Sequence, residues 1–131
     1  MNVNCAKGTS AEVKFIHQAD DRGYKIYVPL GHAHATDIVI LKPKKRPACI
    51  QIKTATYYPR RDAYGVSTSR GSKNKKAYAR GDFQILAAWL PDRKQFVFWR
   101  FDEIKKRKKI NYTPRLHRQP ENWDLLDTVL K

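Results

Sequence analysis

Hydrophobic and polar positions alternate most cleanly over Ala48-Cys-Ile-Gln-Ile-Lys-Thr54, which predicts a strand. Ile50 and Ile52 fall on one face of it, Gln51 and Lys53 on the other. Asp37-Ile-Val-Ile-Leu41 is a second β-rich run. The segment Lys42-Pro-Lys-Lys-Arg-Pro47 separates the two, and its prolines suit a hairpin loop. The hydrophobic face sets the register. Asp37 is therefore expected opposite Gln51 or Lys53 rather than among the isoleucines, with facing Cβ atoms about 4.5–5.5 Å apart. An acid, an amide and a lysine would then converge on one patch.

The same reading extends along the chain. Thr9-Ser-Ala-Glu12 has the pattern of a capping box and predicts a helix start. Val13, Phe15, Ile16 and Ala19 form its apolar side, and Gly23 stops it. Glu12 would lie in the first turn, where a carboxylate suits the helix dipole. Tyr24–Leu30 alternates and predicts a strand antiparallel to the Asp37 strand, with Gly31–Ala35 as the loop between them. Tyr57–Arg80 is polar and basic, with a short strand over Ala63–Ser67 and a loop over Ser69–Lys76. Asp82–Leu90 is apolar and allows helix or strand; its brevity, the Pro91-Asp-Arg-Lys94 turn and the following Gln95–Phe101 favour a hairpin. Asp102 is placed as the N-cap of a short helix, Tyr112–Pro120 as an extended segment, and Glu121–Leu130 as a C-terminal helix. Trp89, Phe96, Phe98, Trp99, Phe101 and Trp123 cluster in apolar runs and are assigned to the core rather than to base stacking.

Charge changes the picture most. Lys and Arg number 27 against 12 Asp and Glu, a net charge of +15, which points to a polyanionic partner, nucleic acid before an anionic membrane. No run is long and apolar enough to span a bilayer, and no amphipathic helix stands out for a membrane surface. The 131 residues suit one domain, 1–131, with a single core. The N-terminus has no signal-peptide h-region. With only Cys5 and Cys49, the chain reads as reduced, intracellular and cytoplasmic, although a disulfide between them stays open.

The candidate chemistry follows from the central hairpin. Phosphodiester hydrolysis calls for a divalent cation held by hard oxygen donors. Asp37 offers a carboxylate, Gln51 an amide oxygen, Ile52 its main-chain carbonyl, and Glu12 a further carboxylate from the helix. Lys53 beside them could hold or deprotonate a water, or stabilise charge on the phosphorus. Taken alone, an acid followed by QxK is a weak pattern, and ordinary polar residues on a surface strand explain it more simply. His32-x-His34 lacks the spacing of a zinc site. His34, three residues before Asp37, is either a solvent-facing loop histidine or a contact to the scissile phosphate. For DNA contact the candidates are Lys44, Lys45 and Arg46 at the hairpin tip, Tyr57, Tyr58, Arg60 and Arg61 after the second strand, and Arg70, Lys73, Lys75 and Lys76 in the basic loop. Lys105–Lys109 carries the same reading with less weight. The basic loop does not match GxxxxGK[ST], so it is no nucleotide-binding P-loop.

The order of elements is helix with Glu, strand, strand opening with Asp, hairpin, and strand with QxK. It resembles the core of the PD-(D/E)XK nuclease superfamily. KGTSAE, the helix ending at Gly23-Tyr24, VPLG, TDIVI, IQIKTA and YARGDFQILAAWLP further resemble the small group I intron-associated homing endonucleases and, more distantly, archaeal Holliday junction resolvases. The resemblance spans residues 7–104. It implies an α/β, restriction-endonuclease-like fold, with a mixed central sheet of about four to five strands flanked by helices. It places Asp37 at the motif acid, Gln51 at the second acid position, Lys53 at the motif lysine and Glu12 at the helix acid. It also implies Mg²⁺, with Mn²⁺ as a substitute, double-stranded DNA as substrate, and a homodimer or homotetramer. Two positions depart from the pattern. Thr36 stands where proline is common, and Gln51 replaces an acid, as in some members. The alternatives are a junction resolvase, or a catalytically silent DNA-binding module that Gln51 would favour.

Overall fold

A computed structural model describes residues 3–30, 36–70, 76–77, 81–105, 107–114 and 120–129, without the side chains of 3–9, 69–70, 76–77 and 127–129. Five strands form the main sheet: β1 (Lys25–Tyr27), β2 (Ile38–Leu41), β3 (Ala48–Thr54), β8 (Ile85–Leu90) and β9 (Gln95–Arg100), in the order β1-β2-β3-β8-β9. All neighbours are antiparallel except β3 and β8, which run parallel. The sheet is thus mixed and five-stranded, within the range expected. Every residue of β8 is buried, as a central strand covered on both faces requires.

One face is covered by helix α1 (Val3–Asp21) and by Trp123 and Leu126 near the C-terminal helix α3 (Asp124–Val129). Ala11, Phe15 and Ala19 recur every four residues and lie against Ile38, Ile40, Ile50, Ile52, Phe96 and Phe98. The two alanines let the helix approach closely. Phe15 fills the space between, edge-on to Phe96 and stacked on Trp123, with ring centroids 5.6 and 5.5 Å apart. The helix ends in a Schellman turn. Tyr24 N donates to the Ala19 carbonyl and Gly23 N to that of Asp20, with Gly23 at φ +86°.

The helix starts earlier than the capping-box reading places it. Val3 rather than Thr9 opens it, so Glu12 lies mid-helix and not in the first turn. Gly8 and Thr9 each lower helix propensity by only about 0.5–1 kcal/mol relative to alanine, too little to stop a helix.

The other face is covered by a second sheet, built from two strands of the crossover between β3 and β8 and one strand that comes after β9 in the chain. Its strands are β4 (Thr56–Tyr58), β5 (Ala63–Ser67) and β10 (Lys109–Tyr112), in the order β10-β5-β4, all antiparallel. Tyr64, Val66, Ile110 and Tyr112 pack with Leu86, Ala88, Leu90, Val97 and Trp99. Of these strands, alternation predicts β5 alone. β10 falls at the border of the lysine cluster and the expected extended segment. Strands β6 (Ser69–Arg70) and β7 (Lys76–Ala77) pair as a small ribbon. The short helix α2 (Phe101–Ile104) follows β9. Its N-cap is Arg100 rather than Asp102, because Arg100 N donates to the Glu103 carboxylate at 2.8 Å. The six core aromatics expected from the sequence are all buried. Among the described residues no helix is long and apolar enough to cross a membrane.

Phe15 anchors the helix that carries Glu12. Phe15→Ala is expected to lower unfolding free energy by about 3–5 kcal/mol, measured as a shift of the urea midpoint at constant m-value.

Candidate active site

The register of the central hairpin positions the site. Ile38 faces Ile50, Val39 faces Cys49 and Ile40 faces Ala48. One step further, Asp37 comes level with Gln51, the arrangement the hydrophobic face predicts. Strand β2 stops there, but β3 continues to Thr54. Even-numbered peptide groups of β3 point towards β2, as the bond from Asp37 N to the Ile50 carbonyl shows (2.9 Å). The N–H and C=O of Ile52 therefore point past the end of β2. The Asp37 side chain takes the place of the missing strand. Its Oδ2 accepts from Ile52 N at 2.8 Å and from Gln51 Nε2 at 2.8 Å. Gln51 Nε2 also donates to the Ile52 carbonyl at 3.3 Å. Gln51 is only 7% exposed, so both bonds compensate the burial of a polar amide.

Two oxygens, Asp37 Oδ2 and the Ile52 carbonyl, thus converge on one nitrogen. The expectation for Gln51 was an amide oxygen facing this point. The amide nitrogen faces it instead, because both neighbours are acceptors and only the NH₂ group can donate to both.

Lys53 shares the Gln51 face, and Glu12 comes from α1. Burial raises the Glu12 pKa above its ordinary 4.5, and the negative charge of Asp37 raises it further. Burial also raises Asp37 above 3.8, against the opposing effects of the Ile52 N–H and Lys53. Burial lowers Lys53 below 10.5, while Asp37 pulls it back up. Asp37 therefore stands within electrostatic reach of both Glu12 and Lys53, and desolvation is the largest effect on all three. Among the described residues no three His, Cys, Asp or Glu side chains form a metal-binding group. The oxygens that converge on the Gln51 nitrogen, Asp37 Oδ2 and the Ile52 carbonyl, are hard donors of the kind that could hold Mg²⁺.

Two tethers were not foreseen. Thr36, at the position where proline is common, donates its hydroxyl to the Asp82 carbonyl at 2.5 Å. This ties the approach to β2 to the approach to β8. Gln84 accepts from Cys49 N at 2.6 Å, and its own N–H donates to the Cys49 carbonyl, which extends the β3–β8 pairing by one step. Cys49 is a free thiol. The hairpin tip with Lys44, Lys45 and Arg46 lies at the far end of β2, about 13 Å of strand from Asp37, and is not brought to the site. Tyr57 is exposed and bonds Asp62, while Tyr58 carries Arg61 4.5 Å above its ring. Arg60 is exposed in the turn that follows. Arg70 and Lys76 are backbone register partners in the β6–β7 ribbon. The expectations for His34, Lys73 and Lys75 lie outside the described residues.

A mixed sheet with an acid at the end of one strand, QxK on the next and a glutamate on the flanking helix defines a nuclease of the restriction-endonuclease-like class. The family model for PD-(D/E)XK endonuclease matches residues 4–125. This chain belongs to that family. It is 28% identical to Protein 5.3 of Escherichia phage T7 over 105 residues, which cover 80% of this chain and 86% of that protein. Its fold is similar to that of the bacterial homing endonuclease I-Ssp6803I. The TM-score is 0.82 at 21% identity, over 98% of this chain and 95% of the other.

Because Asp37 and Glu12 have raised native pKa values, each binds its proton more tightly folded than unfolded. Their contribution to stability is full below the ordinary carboxyl range. It is lost as pH rises through the native values. Asp37→Asn is expected to lower the Glu12 pKa, since it removes the like charge. Carboxyl ¹³C NMR checks this, and an unchanged Glu12 titration would place the two groups out of reach.

Proposed function

We propose that this chain is a divalent-cation-dependent endonuclease that hydrolyses phosphodiester bonds in double-stranded DNA, with Mg²⁺ as the cation and Mn²⁺ as its substitute. The observation that carries the reading is the convergence of Asp37 Oδ2 and the Ile52 carbonyl on one point beside Lys53. A bound cation would supply charge neutralisation at the phosphate and acidify a water. Asp37, Glu12 and the Ile52 carbonyl would hold it. Gln51 would join them through Oε1 after its amide turns over. Lys53 is the group that orients the attacking water or takes its proton. Its lowered pKa brings the neutral amine closer to physiological pH. The net charge of +15 draws the DNA in.

The likeness to a homing endonuclease supports sequence-directed cutting. One chain offers one such site, so cutting both strands at one locus calls for a dimer or a tetramer. A junction resolvase is the neighbouring reading. Preferential cutting of a four-way junction over linear duplex, without sequence preference, would select it. One observation favours a catalytically silent DNA-binding module: the Gln51 nitrogen occupies the convergence point in place of an acid. Supercoiled plasmid with Mg²⁺ or Mn²⁺ separates that reading, which requires binding without any nicking.

Asp37→Ala and Lys53→Ala are each expected to reduce plasmid cleavage at least a hundredfold while the circular dichroism spectrum is retained. Full cleavage by both variants would overturn the assignment. Gln51→Glu adds a carboxylate at the convergence point and is expected to tighten Mn²⁺ binding about tenfold or more, measured by calorimetry rather than by turnover.

A further inference from the structure

The outward face of the second sheet carries a depression of about 250 Å³ lined by Thr56, Tyr58, Gly65, Ser67, Lys108 and Lys109. Strand alternation puts Thr56 and Tyr58 on the face of the sheet opposite to buried Tyr64 and Val66. Gly65, Ser67 and Lys109 share that face. Lys109 Nζ donates to the Tyr58 hydroxyl at 3.2 Å and sits 4.9 Å from its ring centroid. Arg61 lies 4.5 Å from the same ring. Tyr58 is thus flanked by two cations.

Gly65 makes this possible. A Cβ at position 65 would stand 2.7 Å from Tyr58 Cε2 and 2.9 Å from Lys109 Cε. The tyrosine and the lysine lie across the strand only because position 65 has no side chain. Glycine in a strand interior weakens the strand, and it often marks a close approach of this kind.

We propose that this depression is a binding site for a non-scissile backbone phosphate of the DNA, a reading that rests on the nuclease function above. No lining residue is acidic. Lys108 and Lys109 supply charge. The Tyr58 hydroxyl, which accepts from Lys109, keeps its own proton to donate, and Thr56 adds a second hydroxyl. Thr56 follows Lys53 by three residues, so the chain can separate the two by at most about 11 Å. That is roughly three nucleotide rises along one strand of duplex. The site therefore holds the same DNA beside the reacting bond and sets where that bond falls.

The test measures binding of a fluorescein-labelled duplex by anisotropy, with EDTA present, from about 50 to about 200 mM KCl. Lys109→Gln and Gly65→Ala are expected to weaken binding about fivefold or more at mid-range salt. They are also expected to lower the slope of log K against log salt by about 0.9, the value of one phosphate contact. Lys14→Gln, which removes the same charge from the outer side of α1, is expected to change the slope much less. Lys109→Arg is expected to retain most of the affinity. Melting curves check that each variant is folded, and Lys109→Gln, an exposed change, keeps the test decisive should Gly65→Ala unfold. Normal plasmid cleavage by the wild type, with Lys109→Gln binding like Lys14→Gln, would overturn the phosphate site alone. A wild type that neither binds nor cleaves DNA would overturn the nuclease reading and the site together.

Discussion

The hydrogen bond from Ile52 N to Asp37 Oδ2 carries the arrangement of the site. Strand β2 stops two residues short of the position that would face Ile52, and the Asp37 carboxylate continues the ladder in its place. An N–H left unpaired at this depth would cost about 1–3 kcal/mol, so the fold itself holds Asp37 in position. The same bond stabilises the ionised carboxylate against the burial that raises its pKa. The acid is thereby oriented by the backbone of the strand that also carries Gln51 and Lys53. Any change in hairpin register would move all three side chains and break that bond at once.

Much of this was legible in the sequence because it is local or periodic. The bounds of β3 and β5 and the position of Asp37 on the Gln51 and Lys53 face follow from alternation, while the hairpin of β8 and β9 and the buried aromatics follow from short apolar runs around a turn. What was not legible depends on partners distant in the chain. β4 and β10 pair only through β5, and Lys109 meets Ser67 across more than forty residues. No local pattern announces that contact, although glycine inside the strand Ala63–Ser67 was a signal available to be read. Thr36 and Gln84 act through main-chain atoms of Asp82 and Cys49, which no motif records. The helix start failed for a different reason. A capping-box pattern permits a start but does not force one when the preceding residues also accept a helix.

Burial pushes all three ionisable groups of the site towards their neutral forms. The charge of Asp37 already makes Glu12 harder to ionise. A third acid at position 51 would add to that repulsion in a place where the side chain is almost fully enclosed. An amide there avoids the cost and links the two neighbouring oxygens through its NH₂ group. In the proposed nuclease, glutamine at this position would favour stability of the protein on its own over cation affinity, and Asp37, Glu12 and the phosphate would have to supply the negative charge.

The chain leaves β3 through Ala55, whose N–H donates to the Trp89 carbonyl, and enters β4 at the next residue. The strand with Lys53 and the strand with Thr56 and Tyr58 are thus one nearly continuous stretch of backbone. It is fixed to the main sheet on one side of Ala55 and to the second sheet on the other. Tyr64 reinforces the junction, since its hydroxyl donates to Asp92 in the β8–β9 turn and accepts from Arg93. A span fixed at both ends in this way keeps a constant distance between Lys53 and the basic face of the second sheet. A polyanion of regular repeat engages two points at once only when that distance is constant. In the proposed nuclease the second sheet would therefore serve as a fixed arm of the site.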